Sequence, residues 1–248
     1  MYADFDWASA PLSSRSAPII GGLAYLISIG VLVHVLPSGG IKGLKWALVA
    51  HNMFLSAASL CMFLGCLVEM LARHSREGNA YIFCESPVAH ARGPLYFWAY
   101  IFYLSKYYEM ADTFLALLKG SKPPHFKLHV YHHALVPMMV WAWLEYCGTL
   151  QFPGLLTNTF VHTIMYAYYA LKIIGFPTPW KAWVTRLQIL QFAMSLGFLG
   201  ITWTYIRADP FGKPCSGLPT MWVNIVFNLS FLWRFVVVLH SSPSQKST

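Results

Sequence analysis

The chain is short of charge. Asp, Glu, Lys and Arg make up only 10% of its 248 residues, and the acids number nine, where a soluble domain carries about 25%. No polar stretch is long enough to form a separate soluble domain. That excludes a soluble enzyme and leaves nucleic acid out of the expected partners. The first seventeen residues hold Asp4, Asp6 and Arg15 but lack a basic start followed by an apolar core. No cleavable signal peptide is therefore expected, and the first apolar run is expected to serve as an uncleaved anchor. Also missing are the short alternating segments of a membrane β-barrel.

What replaces the charge is long apolar runs. The chain is 57% hydrophobic, with a mean hydropathy of +0.51. Seven runs lie at about 18–36, 46–70, 95–118, 129–148, 152–175, 182–206 and 217–240. Most approach the ~20 residues that cross a bilayer as a helix. The expected fold is an all-α polytopic membrane protein of one domain. It has seven transmembrane helices, a polar N-terminal tail at 1–17 and a short C-terminal tail at 241–248.

The basic residues are uneven. Alternate loops and the C-terminal side hold Lys42, Lys45, Lys119, Lys122, Lys127, Lys172, Lys181, Arg186, Arg234 and Lys246. The opposite side holds Arg15, Arg73, Arg76, Arg92, Arg207 and Lys213. The positive-inside rule then places the N-terminus outside the cytosol and the C-terminus within it. Cys61, Cys66 and Cys147 fall inside spans and read as buried small hydrophobes. Cys84 and Cys215 fall in loops of the non-cytosolic side. They pair there if that side is oxidising, or stay two unrelated thiols.

Polar residues inside the spans are few and grouped. Lys106, Glu109 and Thr113 share one helical face at i, i+3 and i+7, with Asp112 beside it. Charge at membrane depth costs a few kcal/mol on insertion scales, so such groups pair or line a cavity. His129, His132 and His133 form an HxxHH pattern on one face. Asn158, His162, Met165, Tyr166 and Tyr169 form a stripe on the next span. Thr185, Gln188 and Gln191 step by three along the sixth, and Asn224 and Asn228 are i, i+4 on the seventh. His51 and Asn52 read as an ordinary polar contact. Polar faces on successive helices are most economically turned inward around one shared cavity.

HxxHH admits two chemistries. Imidazoles at i, i+3 and i+4 can converge on one metal ion. A membrane di-iron oxidase or desaturase, however, needs about eight histidines in several boxes, and the others here are scattered singly. The alternative uses a neutral imidazole as nucleophile, taking an acyl group from a thioester, with neighbouring rings as base and orienter. No cysteine sits among the motifs to carry that step.

The ordered set KxxExxDT (Lys106 to Thr113), LHxxHH (Leu128 to His133), NxxxHxxMYxYY (Asn158 to Tyr169) and TxxQxxQF (Thr185 to Phe192) resembles the ELO family of fatty acid elongases. The resemblance implies six helices in a ring around a narrow acyl tunnel, with a seventh packed outside. It implies a 3-oxoacyl-CoA synthase of the endoplasmic reticulum that condenses a long-chain acyl-CoA with malonyl-CoA, with no cofactor and no metal. Carried onto this chain, His132 becomes the nucleophile and His162 its partner in proton transfer and malonyl handling. His129 and His133 position the rings, and Asn158 orients His162 or the thioester. Lys106, Glu109 and Asp112 hold the helix faces together. Tyr166, Tyr169, Gln188 and Gln191 meet substrate, and Lys181 with the Lys119–Lys127 loop meets CoA phosphates. A Cys84–Cys215 disulfide, membrane lipid, the reductase and dehydratase of the elongation cycle and a homodimer are further implications.

The segment from Glu145 to Phe176 and the Trp180-Lys181 region are most similar to microalgal polyunsaturated elongases. Two features depart from the pattern. Lys246 lacks the second lysine of a dilysine retrieval signal. Pro124 stands where polyunsaturated-type members often carry glutamine. Packing at Phe63, Trp141, Phe198 and Trp222 is expected to set the tunnel's depth. The competing functions are a metal-dependent lipid desaturase or hydroxylase and a seven-helix transporter or receptor.

Overall fold

The computed structural model describes residues 2–36, 39–123, 125–209 and 212–241. Lys246 and Pro124 lie outside these residues. Among the described residues there is no strand beyond one isolated bridge between Asp6 and Arg92. The described residues form nine α-helices in order: α1 Ser16–Val35, α2 Lys45–Glu77, α3 Ala80–Phe83, α4 Pro94–Glu109, α5 Ala111–Leu118, α6 Phe126–Glu145, α7 Gln151–Ile174, α8 Lys181–Ala208 and α9 Leu218–Ser241. The expected all-α class holds.

α1, α2, α8 and α9 are long and apolar enough to cross a membrane. Only 11% of the most apolar window of α8, and likewise of α9, is buried within the protein. Their apolar side chains therefore face outward, an arrangement that suits lipid and not water. Exposed tryptophans, among them Trp46, Trp183, Trp203, Trp222 and Trp233, fit the belt that such rings form at a membrane interface. The chain is a multi-pass membrane protein.

α2 packs on α4, α4 on α6, α6 on α9, α9 on α8, α8 on α7, and α7 back on α2. Six helices thus close a ring. α1 stands outside it against α5 and α6, where Tyr25 and Ile29 meet Leu117 and Ala134. The α2–α7 seam is the longest. Small polar residues let the backbones approach: Ser56 Oγ donates to the Thr163 carbonyl at 2.8 Å, and Ser59 and Thr159 are both 1% exposed.

Three sequence expectations change. The span expected over 95–118 breaks at Met110 into α4 and α5. There the Met110 N–H bonds the Tyr107 carbonyl and the Thr113 N–H bonds the Met110 carbonyl, both i to i−3. This tighter winding advances each residue about 120° instead of 100°. Thr113 leaves the face of Lys106 and Glu109 and pairs outward with the Tyr25 hydroxyl at 2.7 Å, while Asp112 turns inward. The N-terminal tail is also more than polar chain. Phe5 and Trp7 are buried, the Trp7 N–H bonds the Ala91 carbonyl and the Gly93 N–H bonds the Phe5 carbonyl. Arg92 pairs with Asp6 at 2.9 Å, and Trp7 Nε1 donates to Glu145 at 3.0 Å. Finally, Cys61 is exposed, because it falls on the outer side of α2; Cys66 and Cys147 are buried.

The loop before α4 and the loop before α9 meet at one end of the bundle. Cys84 and Cys215 are joined there by a disulfide, with Cα atoms 5.1 Å apart across 131 residues of sequence. The N-terminal segment caps the same end. α2, 33 residues long, spans about 50 Å, well beyond the ~30 Å of a hydrocarbon core. Its last turns therefore stand clear of the membrane interior and carry Arg73 to this disulfide end.

Candidate active site

The opposite end of the bundle holds the histidines. α6 begins at Phe126, after His125 in a left-handed conformation (φ 53°). The helix then presents His129, His132 and His133 in one cluster. The His129 and His133 ring centres are 4.4 Å apart, and those of His132 and His133 are 5.1 Å apart. The three diverge in what they face. His133 looks toward Tyr25, and its Nε2 lies 4.0 Å from Asp112 Oδ2. His132 looks the other way, against Phe231 of α9, into a cavity inside the ring. His132 makes no hydrogen bond among the described residues, so its ring faces that cavity without a competing partner.

The cavity has an empty volume of about 890 Å³, mouth included. At its head stand His132 and Asn158, with Gln191, Asn228 and Phe231 around them. Below these the lining turns mostly apolar, through Val136, Met139, Ile225 and Leu196, with Thr157, Ser195 and Asn224 among them. Its last residues are Trp143 on α6, Leu150 before α7, Leu199 on α8 and Met221 on α9. From His132 to Trp143 is about 16 Å of helix. Of the residues expected to set depth, Phe198 lines the cavity; Phe63, Trp141 and Trp222 do not. Phe63 packs on Phe160, Trp141 donates to the Ser13 carbonyl, and Trp222 is 56% exposed. Helical period does separate Trp141 from Trp143: eleven residues after His132, Trp143 returns to within about 20° of its face, whereas Trp141 points away.

Beside His132 is a buried polar circuit, open between His162 and Glu109. Lys106 Nζ donates to Glu109 Oε1 at 2.7 Å and to Asn158 Oδ1 at 3.0 Å. The Asn158 amide lies 3.4 Å from His162 Nε2. With the amide donating there, the ring proton sits on Nδ1, which is 3.6 Å from Glu109 Oε1. Lys106 and Glu109 are 2% and 1% exposed. Burying such a pair costs several kcal/mol per ion, which only good geometry offsets. The circuit is incompletely satisfied: Glu109 Oε2, His129 Nε2 and His162 Nδ1 are buried with no hydrogen-bond partner. Native proteins leave few such atoms, and each calls for a reason.

Asp112 organises a second group. His51 Nε2 donates to its Oδ1 at 2.7 Å, and the Tyr166 hydroxyl donates to its Oδ2 at 2.7 Å. The Tyr108 hydroxyl lies 3.3 Å from His51 Nδ1. His51 is a satisfied polar contact, as the sequence suggested, and also a member of the site. Its lack of any paired motif on α2 hid that second part. Gln188 donates to Met165 Sδ at 3.3 Å, so the sixth and fifth predicted spans do share a polar face. Thr185 turns back to the Lys181 carbonyl. Tyr169 is 39% exposed and meets Tyr166 and Tyr168 edge-on. Lys119, Lys122, Lys127 and Lys181 are exposed around the histidine end. Among the described residues, no three His, Cys, Asp or Glu side chains are placed to share one metal ion.

The model of the GNS1/SUR4 (ELO) family matches residues 10–247. The chain belongs to that family. Relatives named as fatty acid elongases agree over nearly its whole length. One from Dictyostelium discoideum is 35% identical over 98% of this chain and 81% of its own. Fatty acid elongase A of the same organism is 33% identical over 98% of this chain and 90% of its own. Fatty acid elongase 2 of Trypanosoma cruzi is 30% identical over 77% and 71%. Each of three sequence motifs brings at least one residue to the head of the cavity: His132, Asn158 and Gln191.

Proposed function

We propose that this elongase-family protein is a 3-oxoacyl-CoA synthase that condenses a long-chain acyl-CoA with malonyl-CoA. One observation carries the reading. Of the three clustered histidines, only His132 lines the cavity, at the polar head of an otherwise largely apolar chamber. That is the shape of a site for a thioester with a long acyl tail.

In the first step a ring nitrogen of neutral His132 attacks the thioester carbonyl. The C–S bond breaks, and the imidazole proton leaves with the CoA sulfur as thiol. In the second step malonyl-CoA loses CO2, and its α-carbon attacks the acyl-imidazole. The C–N bond breaks, 3-oxoacyl-CoA forms, and the imidazolate regains a proton from solvent. His162, oriented by Asn158 and facing Glu109, handles that proton and the malonyl group. Lys106 holds Glu109 and Asn158 in register, and Asp112 holds Tyr166 and His51. Gln191 and Asn228 offer amides near the thioester. Gln188 supports Met165, Tyr166 backs His162, and Tyr169 extends that wall toward the surface. His129 and His133 fix the His132 ring by packing. The exposed lysines Lys122, Lys127 and Lys181 receive CoA phosphates.

The same reading places the chain in the endoplasmic reticulum membrane with seven crossings. The disulfide end and the N-terminus face the lumen, and the histidine end and the C-terminus face the cytosol. Reductase and dehydratase of the elongation cycle act on its product. No metal or cofactor enters these steps.

The test is His132→Ala in membranes from yeast expressing the full chain, supplied with acyl-CoA and labelled malonyl-CoA. Formation of 3-oxoacyl-CoA is expected to fall to background with protein level unchanged. A fully active variant overturns the acyl-histidine route. A new double bond in place of a two-carbon gain overturns the elongase reading itself.

A further inference from the structure

The deep end of the cavity is built in an unusual way. The Trp143 indole lies across it as a bar. At its Cδ1 edge the ring reaches the Gly148 turn, where a side chain on Gly148 would touch both Trp143 Cδ1 at 3.5 Å and Thr220 Oγ1 of α9 at 3.3 Å. At its far edge Cη2 lies only 2.9 Å from where a Cβ on Gly154 of α7 would stand. Phe102 of α4, which also lines the cavity, is stacked nearly parallel to it, at 8° and 6.3 Å. The bar therefore spans from the start of α9 to α7 and packs beside α4. No residue further toward the disulfide end of α6 lines the cavity.

Nothing but packing fixes this ring. Trp143 is 7% exposed, and its Nε1 has no hydrogen-bond partner, although a buried indole N–H usually finds one. Gly154 leaves room for the far edge of the ring, and Phe102, also a lining residue, packs on its face. The open space beside the ring is the cavity itself. A methyl at Gly154 would fall within the distance that real Cβ atoms avoid. Because Gly154 also lines the cavity, both the methyl and the displaced ring would take room from it.

We infer that Trp143, seated against Gly154, is the floor that sets how long an acyl chain the site accepts. This rests on the elongase reading above and adds the residue that measures the chain. Pockets that end on a rigid aromatic discriminate by single methylenes, each worth roughly 10- to 200-fold in kcat/KM. The floor thus needs to move by only a carbon or two to change the product.

The experiment uses the full chain in yeast membranes, labelled malonyl-CoA and a graded series of saturated acyl-CoAs increasing by two carbons. The readout is the ratio of kcat/KM for successive lengths at the point where the unaltered protein falls off. Trp143→Ala is expected to raise the longer-to-shorter ratio at least about tenfold, and Gly154→Ala to lower it by a similar factor. Trp143→Phe should shift the ratio in the same direction as Trp143→Ala but less, and it decides the matter if the alanine variant is not recovered in the membrane. Trp141→Phe, two positions away and outside the cavity, should leave the ratio unchanged. The floor is overturned if Trp143 and Gly154 variants keep the unaltered ratio, or if both move it the same way. If the unaltered protein forms no 3-oxoacyl-CoA from any acyl-CoA, the elongase reading fails and takes this inference with it.

Discussion

Two glutamates at opposite ends of the bundle are each 1% exposed, and their surroundings differ completely. Glu85, at the disulfide end, is fully used. Arg73 grips it through two nitrogens at 2.8 and 2.7 Å, Tyr96 and the Ser86 N–H add to the carboxylate, and its backbone reaches Thr149 and Ser216. Glu109, at the histidine end, takes Lys106 and Ser105 on one oxygen. Its other oxygen has no partner. A satisfied buried network makes a unique structure rigid, whereas an incomplete one holds polar groups in reserve at a cost in stability. The first carboxylate is fully committed to the fold, and the second keeps one oxygen without a partner beside His162.

Breaking the first should have the largest effect on stability. Arg73→Met leaves Glu85 buried and unpaired, so a loss of about 3–5 kcal/mol is expected, read as a lowered melting temperature in detergent. The molecules that remain folded should keep their chain-length preference. Glu109→Gln tests the other half of the contrast. It keeps the shape and removes the charge that faces His162, so turnover should fall roughly a hundredfold, with a smaller drop in melting temperature than Arg73→Met. Equal thermal losses with no difference in turnover would erase the distinction between the two glutamates.

The smallest effect concerns the cap on the disulfide end. The Ala8 N–H, bonded to Asp6 at 3.1 Å, and the Arg92 guanidinium hold the Asp6 carboxyl below its ordinary range. Since its folded pKa is lowered, the carboxylate's contribution is complete above the ordinary value of about 3.9 and is lost as pH falls through the folded value. Pepsin cleavage within the first fifteen residues should rise across that acidic window. In Asp6→Asn the segment should be cleaved equally readily throughout it.

The long helices were legible in the sequence because lipid imposes a one-dimensional code of about twenty apolar residues in a row. Six of the seven expected runs match helices closely. The run over 95–118 did not, because a local tightening at Met110 leaves composition and length unchanged while it rotates everything after it. Thr113 and Asp112 exchanged places for that reason. HxxHH, Asn158 and His162 were visible as polar residues where polarity is expensive. His51 was not, because a single polar residue on α2 looks the same whether it faces a neighbour or a site.

By itself the sequence determined an all-helical membrane protein, the motifs of its family and most, not all, of the polar residues that face inward. Hydrophobicity and helical period are properties of the chain alone. The tertiary structure decided which of three adjacent histidines faces the cavity and which glutamate is left unsatisfied. Those outcomes depend on the rotation and depth of one helix against five others, and only packing sets these.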